Sequence, residues 1–305
     1  MSVYHDGEKK IQKLAGVSQQ AEQLSGMVQD SLTLPAVHFL LAQRFAALST
    51  IAKDGSLWVS GLVGEPGFIY PVAAEQIVID AHTLPKSDIL WTNLTAPGSA
   101  QSKNAGMVAI NFGLRRRLRI NGKLRADDEF LVFDIEQTYG NCPKYIQRRE
   151  LEEDQTLATP DQLKASSGSE LTEQDTRLIS EADTFFIGSF AQDGGADASH
   201  RGGLPGFVQV LNKNHLRFPD YSGNNMFNTL GNLAVNHNLG LLFVDFTSGD
   251  SLQVSGRAEN IEPFSWKSGE KLGHIDVTVR DVRRTGGGPL GHWEFQEYSP
   301  FNPIQ

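Results

Sequence analysis

Apolar and polar residues alternate in short runs along most of this chain, and the runs end in turn-forming glycines. Phe185, Phe186, Ile187 and Phe190 form an apolar run that leads into Asp193-Gly194, a hairpin signal. A second strand reaches Gly203-Leu204-Pro205-Gly206-Phe207, and a third follows with Val208 and Val210. After an irregular stretch, the fully apolar run 239–244 ends in Asp245-Phe246, and Leu252 and Val254 then alternate with polar neighbours. Short antiparallel strands at this spacing predict a small barrel. Helical spacing over 8–28 puts Ile11, Leu14, Ala15, Ala21, Leu24 and Met27 near one face. Pro35 predicts the start of a helix through Val37 to Leu48, and Thr172 with Asp175 predicts a cap ahead of Leu178, Ile179 and Ala182. A further helix is expected from Asn225, with Asn224 or Asn225 as its N-cap and Met226, Phe227, Leu230, Leu233 and Ala234 at helical spacing.

The strand pattern occurs twice. Residues 45–68 align without a gap with 184–207, so that Ala52, Asp54 and Gly55 meet Ala191, Asp193 and Gly194. In the same register Gly64-Glu65-Pro66-Gly67-Phe68 meets Gly203-Leu204-Pro205-Gly206-Phe207. Further on, 106–112 meets 240–246 and Ile120-Asn121-Gly122-Lys123 meets Val254-Ser255-Gly256-Arg257. Three blocks in one order indicate two copies of one domain. The expected organisation is an N-terminal helical segment (1–34), a first barrel (35–150), a linker (151–170) and a second barrel with a C-terminal extension (171–305). The linker assignment rests on composition: acidic, then rich in Ser, Thr and Gly.

Composition narrows the function. The chain has 305 residues, enough to bury a core without disulfides or a structural metal. A net charge of −9 argues against a general nucleic-acid binder, which needs a basic face, yet leaves room for a small anionic ligand. A single cysteine, Cys142, excludes an internal disulfide or a cysteine-rich zinc site and fits a reducing cytoplasm; beside Pro143, read as a first helical residue, it suggests a structural role. No apolar secretory segment follows Met1 and no apolar run approaches the ~20 residues of a membrane helix, so a cytoplasmic protein without a membrane partner is expected. The histidines show no metal-ligand spacing. Gly286, Gly288 and Gly291 satisfy G-x-G-x-x-G in form only, since Pro289 interrupts it and no apolar helix follows.

Two features are specific to the second copy. Asp197-Ala198-Ser199-His200-Arg201-Gly202-Gly203 stands where the first copy has Trp58-Val59-Ser60-Gly61-Leu62-Val63-Gly64. On a strand Ser199 and Arg201 share a face, where hydroxyl and guanidinium can hold a phosphate, and the glycines would let a ligand approach the backbone. The second feature is Asn224, Asn225, Asn228 and Thr229 around a helix start, a ready anion site with added side-chain donors. The first copy has Thr92-Asn93-Leu94-Thr95-Ala96-Pro97-Gly98 there. The basic run Arg115, Arg116, Arg117 and Arg119 reads as a solvated hairpin, or alternatively as facing a phosphate bound by the second copy.

Residues 182–187, Ser199-His200-Arg201-Gly202-Gly203-Leu204-Pro205-Gly206-Phe207, Phe218-Pro219-Asp220-Tyr221, 223–233 and 240–246 together resemble the pyridoxamine 5'-phosphate oxidase-like flavin-binding proteins. Asn141-Cys142-Pro143-Lys144-Tyr145 and the residues up to Arg149 resemble the segment that closes the first barrel in their two-barrel branch. The resemblance implies a mainly β protein with peripheral helices, in which tandem FMN-binding split β-barrels form a pseudo-dimer within one chain. It implies FMN as cofactor, held by Ser199, His200, Arg201, Gly202, Asp220, Asn224, Asn225, Asn228 and Thr229, with Lys144 and Tyr145 on the substrate side and a degenerate site in the first copy. The expected function is an FMN-dependent oxidoreductase acting with a small-molecule substrate or electron donor. A non-catalytic flavin-binding or sensor module and a haem-binding split barrel are the alternatives, and pairing into homodimers stays open. Two departures matter. The family's C-terminal Arg-x-His pair is absent from Pro289-Leu290-Gly291-His292-Trp293-Glu294, which argues against pyridoxine phosphate as substrate. The usual Arg-Lys phosphate pair is also absent, which leaves Arg201 as the main cation.

Overall fold

Asp54-Gly55 and Asp193-Gly194-Gly195 close the first hairpin of each half, with Gly55 and Gly195 at φ 83° and 75°, where a missing Cβ removes the penalty. The computed structural model describes residues 3–96, 102–152, 163–260 and 273–303. In the first half, β1 (Phe45–Ile51), β2 (Leu57–Val63), β3 (Ile69–Ala73), β4 (Gln76–Asp80), β5 (Lys103–Asn111), β6 (Arg116–Asp127) and β7 (Phe130–Gly140) form a sheet ordered β2-β1-β5-β6-β7-β4-β3. Two short strands follow, β8 (Arg148–Leu151) and β9 (Lys164–Gly168). The second half supplies β10 (Thr184–Ala191), β11 (Gly195–Gly202), β12 (Gln209–Asn212), β13 (His215–Pro219), β14 (Asn238–Val244), β15 (Ser251–Glu259) and β16 (His274–Gly286). Their order, β11-β10-β14-β15-β16-β13-β12, repeats the first sheet strand for strand. Finally β17 (Trp293–Glu297) returns to pair with β8. The protein is a mainly β tandem of split barrels forming a pseudo-dimer.

Each barrel has its own apolar interior, with Leu48, Met107, Ile120 and Phe133 in the first and Phe185, Phe218, Leu241 and Val277 in the second. A third cluster lies between the halves: Phe45, Phe112, Phe186, Phe246 and Trp293, with Phe45 and Phe186 stacked at 5.1 Å. The C-terminal segment that lacks the Arg-x-His pair contributes Leu290 and Trp293 to this interface.

Crossing of the sheets requires two glycines. A Cβ on Gly106 of β5 would lie 2.5 Å from the backbone of Asp197 and Ala198 in β11. A Cβ on Gly240 of β14, its counterpart in the repeat, would lie 2.8 Å from the backbone of Leu57 and Trp58 in β2. The two contacts are equivalent under the internal symmetry, and both bring backbones together with no side chain between.

The helices correct several expectations. The face drawn over 8–28 divides into α1 (Asp6–Leu14) and α2 (Ser18–Leu24), because Gly16 takes φ 70° and turns the chain. Leu14 and Met27 are consequently exposed. α3 (Leu34–Leu41) carries Pro35 in its first turn but ends well before Leu48, since residues 45–48 enter β1 fully buried. After α4 (Ile89–Thr95), Pro97 and Gly98 of the first-copy loop fall outside the described residues. Pro143 starts a turn closed by the Ile146 amide rather than a helix. α5 (Glu173–Glu181) has the expected Thr172/Asp175 cap, in reciprocal form. α6 (Asn228–Val235) begins later than expected: its N-cap is Phe227, at φ 61° and without a side-chain cap, so neither Asn224 nor Asn225 caps it. Within the expected linker, 153–162 lie outside the described residues, and Lys164–Gly168 is not a spacer but the strand β9, paired with β16. No described helix is long and apolar enough to cross a membrane.

The crossing makes a direct test. Gly106→Ala forces a Cβ into backbone that cannot yield cheaply, and overpacking of this kind lowers stability by about 1–3 kcal/mol. Gly140→Ala, at a strand end with open space around it, is the control and should be neutral or slightly stabilising. Urea unfolding of the two variants measures the difference; equal stabilities would show that the sheets do not meet at Gly106.

Candidate functional site

Strand β11 lies at the edge of its sheet, so the first half can reach it from outside. Arg117 and Arg119, one strand repeat apart on β6, do so. Arg119 forms an ion pair with Asp197 of β11 in which both side chains are buried. Its other terminal nitrogen donates to Asn228 Oδ1 (3.3 Å), and its guanidinium lies over the Tyr139 ring, 5.1 Å from the centroid. Arg117 Nη1 lies 2.7 Å from His200 Nδ1, and the same guanidinium contacts Cys142. Arg117 and Arg119 therefore face the second copy, whereas Arg116 of the same run is exposed.

From β11 itself, Arg201 Nη1 donates to Ser199 Oγ (3.0 Å) and is the charge facing the buried carboxyl of Asp220. Burial pushes Asp220 up from the ordinary carboxylate range, opposed by Arg201, and pushes Arg201 down. Burial also lowers Arg117, to about 10, which leaves it charged at neutral pH. His200 is lowered well below its ordinary value by burial first and then by the positive charges of Arg117, Arg201 and Arg149, so its ring is neutral.

These residues surround one recess between the halves. All nine expected second-copy residues line it: Ser199, His200, Arg201, Gly202, Asp220, Asn224, Asn225, Asn228 and Thr229. Tyr145 joins them, and Lys144 is not among the lining residues. Asn228 Nδ2 is engaged by the buried Glu8 of α1 (2.6 Å), and Thr229 Oγ1 lies 3.5 Å from Asp197 Oδ2. Asn224 bonds across the halves to Asn141, while Asn225 adopts φ 62°. The expected opening at Gly202 and Gly203 is filled by the chain itself: a Cβ on Gly202 would lie 2.0 Å from the Tyr145 carbonyl oxygen, and one on Gly203 would strike the Phe207 ring.

Arg117, Arg119, Asn141, Cys142 and Tyr145 are the lining residues that the second-copy motifs do not reveal. For the arginines a signal was present, because Arg117 and Arg119 flank Leu118 at strand spacing, but a single copy's pattern does not show that they reach the other copy. Tyr145 packs against Tyr221, ring centroids 5.2 Å apart, and donates its hydroxyl to the Ser222 carbonyl (2.9 Å). The open volume of the recess is about 80 Å3.

The donor set decides what the recess can hold. Nε of Arg117, Arg119 and Arg201 and Nε2 of His200 are buried without a protein partner. Three guanidiniums converge, and of the two nearby carboxylates Asp197 is engaged by Arg119. Unpaired buried donors of this kind fit an anionic ligand with several acceptor oxygens. The first copy has no such set: Leu62, Gly61 and Trp58 replace Arg201, His200 and Asp197, and Gln253 replaces Arg119. Gln253 donates to Ser60 Oγ (3.0 Å) and Asp88 Oδ2 (3.2 Å), and Leu290 methyls pack on Gly61. Among the described residues no cluster suited to a metal ion occurs.

Residues 171–276 match the family model described as pyridoxamine 5'-phosphate oxidase. The match falls within the second barrel. No curated protein matches the chain. Among solved structures, the chain is similar to a putative pyridoxamine 5'-phosphate oxidase from Corynebacterium glutamicum, at 15% identity and TM-score 0.26 over 39% of this chain and 98% of that one. It is also similar to an FAD binding protein from Mycobacterium smegmatis, at 12% identity and TM-score 0.26 over 41% of this chain and 100% of that one.

The ion pair between the halves yields a stability prediction. Arg119→Met strands Asp197 as a buried, unpaired carboxylate and should lower stability by about 3–5 kcal/mol. Adding Asp197→Asn removes that charge and should restore a substantial part of the loss. Chemical unfolding of both variants is the check; a double variant no more stable than the single one would show that the pair does not carry the contact.

Proposed function

We propose that the recess binds FMN, one per chain, and that the protein is a flavin-dependent oxidoreductase acting on a small molecule in the cytoplasm. The observation that carries this reading is the convergence of Arg117, Arg119 and Arg201, drawn from both halves, with unpaired donors beside a barrel that matches the oxidase family model. A phosphate fits these donors by charge and by acceptor number. Arg201 and Ser199 would hold it from β11, and Arg117 from β6. Asn225, whose side chain stands at the recess wall, and Asn224 would lie along the polar chain that joins phosphate to ring. Asp220, held up by burial, would accept or donate a hydrogen bond as its protonation allows.

FMN, when bound, supplies hydride or single-electron chemistry. The protein's part is to hold the phosphate, orient the ring and exclude water. The open volume of the recess, about 80 Å3, is far below the roughly 300–1,000 Å3 usual for ligand pockets, so its walls would have to open for FMN to enter. Tyr145, which lines the recess from the first half, would face a substrate or electron donor. Its hydroxyl, raised to about 12 by burial and by Cys142 and Asp220, stays protonated and can donate a hydrogen bond.

A haem reading has less support. The histidine of this recess is His200, and its Nδ1 is engaged by Arg117. An absorption spectrum of protein reconstituted with each cofactor separates the two readings.

The functional test uses Arg201→Ala with two ligands. A charge-assisted hydrogen bond contributes about 1.5–3 kcal/mol, so FMN affinity should fall roughly ten- to a hundredfold. Riboflavin, which lacks the phosphate, should lose little. Equal losses for both ligands, measured by fluorescence titration, would remove Arg201 from the phosphate; no binding of either ligand to the parent protein would overturn the flavin reading.

A further inference from the structure

We infer that His200 serves the recess as a neutral hydrogen-bond donor fixed in a single tautomer, and that Arg117, from the other half of the chain, is the positioning residue that fixes it. A guanidinium has donors and no acceptor. The 2.7 Å contact between Arg117 Nη1 and His200 Nδ1 is therefore a hydrogen bond only when Nδ1 carries no proton. The ring proton then sits on Nε2. That nitrogen has no protein partner, although His200 is only 2% exposed. A buried N–H without a partner is costly to retain, and this one belongs to a residue lining the recess, so a ligand acceptor is the partner that the geometry leaves for it.

The surroundings keep the ring in this state. The charged groups facing it are Arg117 from β6, Arg201 from its own strand and Arg149 from β8. β10 contributes Phe186, whose ring meets the imidazole at 5.8 Å in an edge contact. The carboxylates nearest these arginines are engaged: Asp197 by Arg119, Asp183 by Arg149, and Asp220 by the charge of Arg201. Cys142 contacts Arg117. A second proton on His200 would thus face three cations and no free anion. His200 cannot supply a proton to the ligand, and a phosphate bound here enters already ionised. Only the identity of the ligand rests on the flavin reading; the tautomer does not.

The test is nitrogen-15 NMR of the full-length protein. In the ligand-free protein the His200 ring should show the Nε2–H tautomer, with shifts constant from pH 5.5 to 8. Saturating inorganic phosphate or FMN should shift the Nε2–H resonance. In Arg117→Met the lock is gone, and the ring should exchange tautomers and titrate nearer the ordinary value of about 6.5. His200→Gln, which keeps a donor, should bind FMN within a fewfold of the parent, whereas His200→Phe should lose roughly tenfold. A parent ring that titrates near neutrality, or that carries its proton on Nδ1, overturns the tautomer. A Nε2–H resonance unmoved by either ligand overturns the donor role. A response to phosphate without FMN binding would leave His200's role standing and defeat the flavin reading instead.

Discussion

The site depends on backbone meeting backbone at Gly106. Because no side chain separates β5 from β11, the neighbouring strand β6 comes close enough for Arg119 to reach Asp197 and for Arg117 to reach His200. A single Cβ at the crossing would push these strands apart and with them the groups that face each other across the recess. The buried Arg119–Asp197 pair is a consequence of that approach rather than its cause: desolvating both charges offsets much of their attraction. Its physical effect is to specify how the two halves fit, since either charge alone in that position would be strongly unfavourable.

The internal symmetry supplies a natural comparison. Gly240 makes the same crossing over β2 as Gly106 makes over β11, yet the side chains around it are uncharged or fully satisfied. Gln253 stands where Arg119 stands and finds three acceptors; Leu290 closes the space beside Gly61. One scaffold thus carries two interfaces, one converted into apolar and amide packing and the other kept polar with unpaired donors. The N-terminal helix adds to the difference. Glu8 of α1 is buried against α6 and accepts from Asn228, so Asn228 turns its oxygen toward Arg119.

Much of this was legible in the sequence, for physical reasons. Strand alternation and Asp-Gly turns are local, so both hairpins and the duplication could be read directly. The Ser199–Gly202 and Asn224–Thr229 motifs stood out because the sister copy lacks them, and all of them border one recess. What was not legible depends on contacts between halves. Arg117 and Arg119 looked like a surface turn because their partners lie far along the chain. Gly202 looked like an opening for a ligand, but Tyr145 occupies the space. The start of α6 was misplaced because Asn225 and Phe227 both take positive φ, and helical spacing of Met226 and Phe227 carries no sign of that. Residues 8–28 kept helical periodicity across Gly16, which is enough to turn the chain.

The proposed function places one flavin phosphate in one recess built from both halves of a single chain. Equilibrium dialysis of the purified full-length chain against FMN, with bound flavin counted by absorbance and protein by amino-acid analysis, tests it most directly. Saturation is expected at one FMN per chain, because the symmetry-related position has Leu62 of the first half and Gln253 of the second where the recess has guanidiniums. Saturation at two per chain, or no saturable binding, would contradict it.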